Sequence, residues 1–198
     1  MNAQANRIGK QRLLEVAEKL FTQKGYQAVS IRDIASAAGV TNAALYYYFP
    51  NKDALFDEVI EHYVEKLALR LQEAGLKADT PRKKLTAMLY EYAKNIPERR
   101  SLLFSLRRQP DGIHHKQLDH QHRRMVNRML APIENILNSA VEQGELTSLA
   151  NEYSQASLLL GLLHGMLQHH TNNSDSQIKA EDINLVINIY WNGMSSKR

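Results

Sequence analysis

Cysteine is absent from the 198 residues. That excludes disulfides, thiolate zinc sites and thiol catalysis together, and it fits the reducing cytoplasm in which we expect the protein to act. Long apolar runs are missing as well. The most apolar stretch, Ala156 to Leu167, is 12 residues and carries Ser157 and His164, too short to span a bilayer, so no membrane association is expected. The first residues, MNAQANRIGK, have no apolar core of a signal peptide. The chain also has no Gly-rich phosphate loop, no H-E-x-x-H and no G-x-S-x-G, so neither an enzyme nor a cofactor is expected. Strand alternation, internal repeats and low-complexity runs are not found.

What remains is an ordinary globular composition, 43% hydrophobic and 23% charged, with its charge unevenly placed. Residues 1–52 hold seven Lys and Arg against three Asp and Glu, whereas the other 146 residues hold 18 of each. The excess of positive charge therefore lies in the N-terminal quarter and suggests an anionic partner for it.

The apolar period is helical nearly throughout. Leu13, Leu14, Ala17, Leu20 and Phe21 recur at 3.6 residues, with Lys10, Arg12, Glu15, Glu18 and Lys19 on the other face. Gly25 is a stop, and Ser30 with Asp33 forms an S-x-x-D capping box for a second helix whose apolar side is Ile31, Ile34, Ala35 and Ala38. Gly39 ends it, and Thr41 caps a third helix over about Asn42 to Phe49. Pro50-Asn51 opens a long fourth helix through Leu55, Val59, Ile60, Tyr63, Val64, Leu67 and Leu71, fading near Gly75. Thr80-Pro81 starts another, with Leu85, Met88, Leu89 and Tyr92 on its buried side. Pro97 and Pro110-Asp111-Gly112 are expected to break the chain around a short helix carrying Leu102 to Leu106. Further helices are expected over about His114 to Gln143, bent or interrupted near Pro132, then Leu149 to His170 and Asp182 to Met194.

Ile31 to Phe49 reads as one unit: two short helices joined by a glycine corner, with Ile34, Ala35, Val40 and Leu45 packed between them. Such a pair is also met as plain helical packing. As a DNA-binding helix-turn-helix it presents its second helix to the major groove, which admits one α-helix. The small residues Thr41, Ala43 and Ala44 let the backbone approach base edges, and the Asn42 amide can pair with adenine. Tyr46, Tyr47 and Tyr48 fan over roughly 200° of helix surface, so some of them must face outward. Their hydroxyls, and Lys52 at the start of the next helix, suit phosphate oxygens.

The segment GYQAVSIRDIASAAGVTNAALYYYFPNKDALF, with the helix before it, resembles the N-terminal domain of the TetR family of bacterial transcription regulators. The likeness rests on a G-[YF]-x-x-[TV]-[ST] lead-in, an I-A-x-x-A-G-V turn and an L-Y-x-[HY]-F-x-x-K-x-x-L exit, with the spacing held over about residues 8–58. Tyr48 stands where the family often has histidine. The resemblance implies DNA contacts by Ser30, Thr41, Asn42, Ala43, Tyr46, Tyr47 and Lys52. It also implies an all-α fold: a three-helix DNA-binding domain over residues 1–53, joined by a long helix to a helical ligand-binding and dimerisation bundle within 54–198. The expected function is a homodimeric repressor, released from a palindromic double-stranded operator by a small-molecule effector.

Two C-terminal segments bear on dimerisation. ASLLLGLLHGMLQHH is apolar nearly all round, with Ser157, Gly161 and Gly165 on one ridge, and INLVINIYWNGM is equally apolar. Two such helices from each subunit can build a four-helix bundle across a two-fold axis, or serve as internal core of one subunit. Effector pockets lie between helices, apolar with a few polar handles. Candidates are Tyr92, Phe104, Met125, Met129, His164 and Gln168. His115, Asp119 and His122 share a helical face with metal-ligand chemistry, but a solvated polar helix is the plainer reading and no metal is expected. An effector-independent architectural DNA-binding protein is the competing function.

Overall fold

The computed structural model describes residues 3–105, 115–149, 154–172 and 178–196, with side chains described over 9–95, 124–149, 154–167 and 178–196. Among the described residues there are eight helices and no strand beyond one isolated antiparallel bridge, Leu146 with Ser195. The helices are α1 (Ala3–Lys24), α2 (Ile31–Ala38), α3 (Asn42–Tyr48), α4 (Lys52–Leu76), α5 (Pro81–Ser105), α6 (His115–Glu142), α7 (Gln155–Asn172) and α8 (Ala180–Met194). No helix among the described residues is long and apolar enough to cross a membrane.

Local chemistry accounts for the helix starts. The Ser30 hydroxyl accepts the Asp33 amide at 3.2 Å while the Asp33 carboxylate accepts the Ser30 amide at 2.8 Å, the reciprocal box the spacing predicts. Thr41 Oγ1 accepts from the Ala44 amide at 3.1 Å, and Asn51 Oδ1 from the Ala54 amide at 2.8 Å. Thr80 does the same for Lys83 ahead of Pro81, at 3.4 Å. Gly39 turns the corner after α2 at φ 70, ψ 33, where an L side chain is strained.

The chain divides into two compact units, Met1–Glu65 with Ile96–Gln121, and Lys66–Asn95 with His122–Arg198. In the first, Leu13, Leu14, Ala17 and Phe21 of α1 are buried, as are Ile34, Ala35 and Ala38 of α2 and Leu55, Val59, Ile60 and Tyr63 of α4. In the second, Leu85, Leu89 and Tyr92 of α5, Ile133 and Leu137 of α6, Leu159 and Leu163 of α7 and Ile183 and Tyr190 of α8 are buried, and α7 packs on α8.

Four expectations are corrected. Helix α5 runs through Pro97 to Ser105, so Pro97 does not break the chain and Leu102 to Ser105 belong to α5 rather than to a separate helix. Helix α6 likewise continues through Pro132, so of the two expectations there, a bend or an interruption, the interruption is not found. A proline removes one backbone donor while its neighbours keep theirs, and α6 is held around Pro132 by the buried Met129, Leu130, Ile133 and Leu137. Helix α7 starts at Gln155 rather than Leu149, because its cap is Ser154, whose Oγ accepts the Ser157 amide at 3.1 Å. Glu18, expected on the solvated face of α1, is 7% exposed and its Oε2 faces His62 Nδ1 of α4 at 3.8 Å.

The start of α7 has a second, distant cap. The Glu134 carboxylate of α6 accepts from the Ser154 hydroxyl at 2.8 Å, the Ala156 amide at 2.9 Å and the Gln155 amide at 3.3 Å. Next to it the buried Tyr190 hydroxyl donates to Gln155 Oε1 at 3.1 Å, and burial together with the Glu134 charge pushes that phenol up. A carboxylate on free helix-start amides is favoured by both hydrogen bonding and the helix dipole. Glu134→Ala is therefore expected to cost about 1–2 kcal/mol of unfolding free energy in urea titration, with Glu134→Gln losing less because one oxygen still accepts.

Candidate nucleic-acid interface

The α2–α3 corner is built from the inside. Val29, Ile34, Ala35, Ala38, Leu45 and Phe49 are all buried, and the Val40 amide donates to the Ala35 carbonyl at 2.9 Å. Val40 itself corrects the expectation: its side chain is 37% exposed, because the left-handed Gly39 carries the chain off the apolar side before α3 begins. Ile34 and Leu45, not Val40, hold the two helices together.

With the apolar residues turned inward, the polar ones face out. Ser30, Thr41, Asn42 and Ala43 are exposed, Tyr46 is 51% exposed and Tyr47 is 70% exposed. Tyr48 is half-buried and its phenol lies against α1, where a Cβ on Gly9 would come within 2.9 Å of it. A surface hollow is lined by Gln27, Ala28, Val29, Ser30, Ile31, Arg32, Asn42, Tyr46 and Lys52. It gathers four of the expected contact residues, Ser30, Asn42, Tyr46 and Lys52. Thr41, Ala43 and Tyr47 are exposed on the same short segment without lining it. Arg32 and Gln27 line it too, and the sequence reading missed both as site residues. Arg32 was legible only as part of the basic excess, although a cap at Ser30 puts it in the first turn of α2 beside free amides.

The charges around the hollow are shaped by their neighbours. The Ser30 hydroxyl and amide hold the Asp33 carboxyl below the usual carboxylate range, so it stays ionised. Burial pushes the Lys52 ammonium below the ordinary lysine value, against the opposing pull of Asp53 and Asp33. The Lys52 Nζ lies 4.1 Å from the centroid of the Tyr26 ring, and the Tyr26 hydroxyl donates to the Asp53 carboxylate. Burial, then the Asp53 bond and the Asp53 and Asp57 charges, push the Tyr26 phenol up.

Of the effector candidates in the second unit, Tyr92 and Met129 are buried, Met125 is half-buried and His164 is exposed. The structure brings two of them together: the Tyr92 hydroxyl and His164 Nε2 are 3.1 Å apart, with the rings edge to face. The side chains of Phe104 and Gln168, and of the metal candidates His115, Asp119 and His122, lie outside the described residues. Among the described residues no group of three His, Asp or Glu is placed to hold a metal ion.

Residues 13–59 match the family model described as bacterial regulatory proteins, tetR family. The N-terminal domain thus carries the sequence pattern of that family. Similar proteins include the HTH-type transcriptional regulator YuxN of Bacillus subtilis, 36% identical over 46% of this chain and 31% of that protein. The HTH-type transcriptional repressor KstR2 of Mycolicibacterium smegmatis is 32% identical over 44% of this chain and 42% of its own length. A probable acrEF/envCD operon repressor of Escherichia coli is 38% identical over 48% of this chain and 44% of its own. The chain thus spans less than half the length of the curated relatives it matches. Solved structures extend the likeness of fold to nearly the whole chain. The transcriptional regulator FadR of Bacillus subtilis, in complex with stearoyl-CoA, superposes with a TM-score of 0.75 at 17% identity, covering 93% of this chain and 98% of that one. FadR of Bacillus halodurans superposes at 0.73 and 15% identity, covering 92% and 94%. The all-α tetR-family fold, with an N-terminal helix-turn-helix and a helical C-terminal domain, is therefore that of this chain.

Further along α4, Asp57 is set among like charges. Burial, then the Asp53 and Glu61 carboxylates, raise the Asp57 carboxyl above its ordinary value. The folded state then binds that proton more tightly than the unfolded chain, so this contribution to stability grows as pH falls through the carboxylate range and is unfavourable at neutral pH. Asp57→Asn is expected to raise the thermal midpoint at pH 7, with the difference shrinking as pH falls through the carboxylate range and the aspartate becomes neutral. Scanning calorimetry across that range measures it.

Proposed function

We propose that this chain is a ligand-responsive transcription repressor, in which residues 1–53 bind double-stranded DNA and residues 54–198 bind an effector and dimerise. The observation that carries the reading is the hollow at the helix-turn-helix. It combines an amide able to read a base, Asn42, with a hydroxyl, a phenol and two cations suited to phosphate: Ser30, Tyr46, Arg32 and Lys52. Thr41 and Ala43 flank Asn42 closely enough to meet a thymine methyl or a phosphate, and Tyr47, the most exposed of the tyrosine run, suits the groove edge. The names of the KstR2 and acrEF/envCD relatives support repression.

The second unit supports a homodimer. Leu158 and Leu162 of α7 and Leu185 and Ile189 of α8 are 37–53% exposed, on two helices that pack on each other. A Cβ on Gly161 or Gly165 would meet nothing within 4 Å. Ser157, Gly161 and Gly165 are all exposed, so the small-residue ridge is open to close approach by a second copy. A two-fold dimer would place two recognition helices on successive turns of a palindromic operator. The effector reading rests on Tyr92 and His164, a buried phenol and a ring nitrogen that offer polar handles amid apolar side chains, and the FadR fold relative is described with stearoyl-CoA bound. We place the protein in the cytoplasm with its DNA.

Three outcomes test this reading. Against a duplex selected from a random pool, Lys52→Ala and Tyr47→Ala should weaken binding about equally for all sequences, with the salt slope reduced by about one for Lys52→Ala, while Asn42→Ala should change the preferred sequence. Unaltered binding and preference in all three variants would sink it. Light scattering at micromolar concentration should give a dimer, and Leu185→Glu with Ile189→Glu should give a monomer. A panel of apolar and aromatic small molecules should include one that lowers DNA affinity; none doing so would favour an effector-independent DNA-binding protein.

A further inference from the structure

Lys52 is one of the two cations lining the hollow, and the aromatic ring beside it comes from a different part of the chain. Its ammonium sits 4.1 Å from the centroid of the Tyr26 ring, inside the range of a cation–π contact. That ring is fixed at both ends. It packs in tilted contact with two phenylalanines, with centroids 5.6 Å from Phe21 and 4.6 Å from Phe56, which themselves meet edge to face at 5.3 Å. Its hydroxyl donates to the Asp53 carboxylate, which occupies the anion next to Lys52 in sequence. A free lysine samples many rotamers and its ammonium is strongly hydrated. An ammonium resting on a fixed ring has lost part of both before any ligand arrives, so less is lost when it meets a phosphate oxygen.

We propose that Tyr26 is the positioning residue for Lys52, its ring serving as the platform that holds the ammonium ready for a DNA phosphate. This rests on the reading of the hollow as a DNA-binding site. Tyr26 does not line the hollow, so its effect on DNA passes through Lys52.

The test uses the full chain and a DNA duplex selected by it from a random pool. Affinity is measured by fluorescence anisotropy over a series of salt concentrations. Tyr26→Leu should weaken binding about 2–5-fold and lower the salt slope toward that of Lys52→Ala. In a Lys52→Ala background Tyr26→Leu should have no further effect, because a positioning residue has nothing left to position. Since Tyr26 also packs on Phe21 and Phe56, folding is kept out of the comparison by a second series: phenylalanine at position 26, then phenylalanines of increasing ring fluorination, which weaken the negative face of the ring at nearly constant shape. Affinity should fall in step with fluorination when Lys52 is present and stay flat when it is alanine. Two results overturn the proposal alone: a flat series with Lys52 present, or a Tyr26 effect that persists unchanged without Lys52. If Lys52→Ala itself leaves DNA affinity and salt slope unaltered, the reading of Lys52 as a phosphate contact fails, and the proposal fails with it.

Discussion

Helices of 8 and 7 residues do not persist alone in water, so everything presented by α2 and α3 depends on the corner between them. The corner is held from three directions. Ser30 and Thr41 satisfy the free amides at the two helix starts, Gly39 takes the left-handed conformation that lets the chain reverse, and Ile34, Ala35, Ala38 and Leu45 bury the apolar sides. Because Ile34, Ala35, Ala38 and Leu45 are turned inward, the outward face is left mainly to hydroxyl, amide, phenol and cation, with Val40 and small alanines among them. The packing that makes the fold thereby determines which residues are left on the outward face, where we propose that DNA binds.

The same economy appears at the rim of the hollow. Lys52 begins α4, the helix whose buried Leu55, Phe56, Val59 and Ile60 belong to the core of the first unit, so the cation we propose for phosphate is carried on a rigid element. Phe56 at once fills that core and backs the Tyr26 ring on which Lys52 rests. Core packing, ring placement and ammonium placement are thus one chain of contacts. In the second unit Glu134 plays a comparable part for α7: an acid on one helix fixes where the next one starts, and with it the line of exposed Leu158 and Leu162.

What the sequence made legible was local. The caps at Ser30, Thr41, Asn51 and Thr80 and the positive-φ Gly25 and Gly39 each depend on residues within a few positions, and all stand where the spacing put them. The buried faces of α4 and α5 were equally readable from their period. What escaped depends on partners far along the chain. Glu18 looks solvated until His62 is set beside it, and the start of α7 looks like Leu149 until Glu134 and Ser154 are placed. Tyr26 reads as one aromatic of a motif, and only packing shows it beneath Lys52. Tyr92 and His164 were both nameable as candidates, but their bond spans 72 residues of sequence. The expected breaks at Pro97 and Pro132 failed for a different reason: one missing donor is weighed against the rest of a helix, which a residue preference cannot see.

The central claim is that the outward face of the α2–α3 corner is where DNA binds. The most direct test is to titrate a duplex selected by the full chain into isotope-labelled protein and follow every backbone amide by NMR. The account predicts that the largest shifts fall on residues 30–32, 41–47 and 52, and that they weaken together as salt is raised. Shifts confined to the second unit, or none at all at concentrations where the duplex binds, would contradict it.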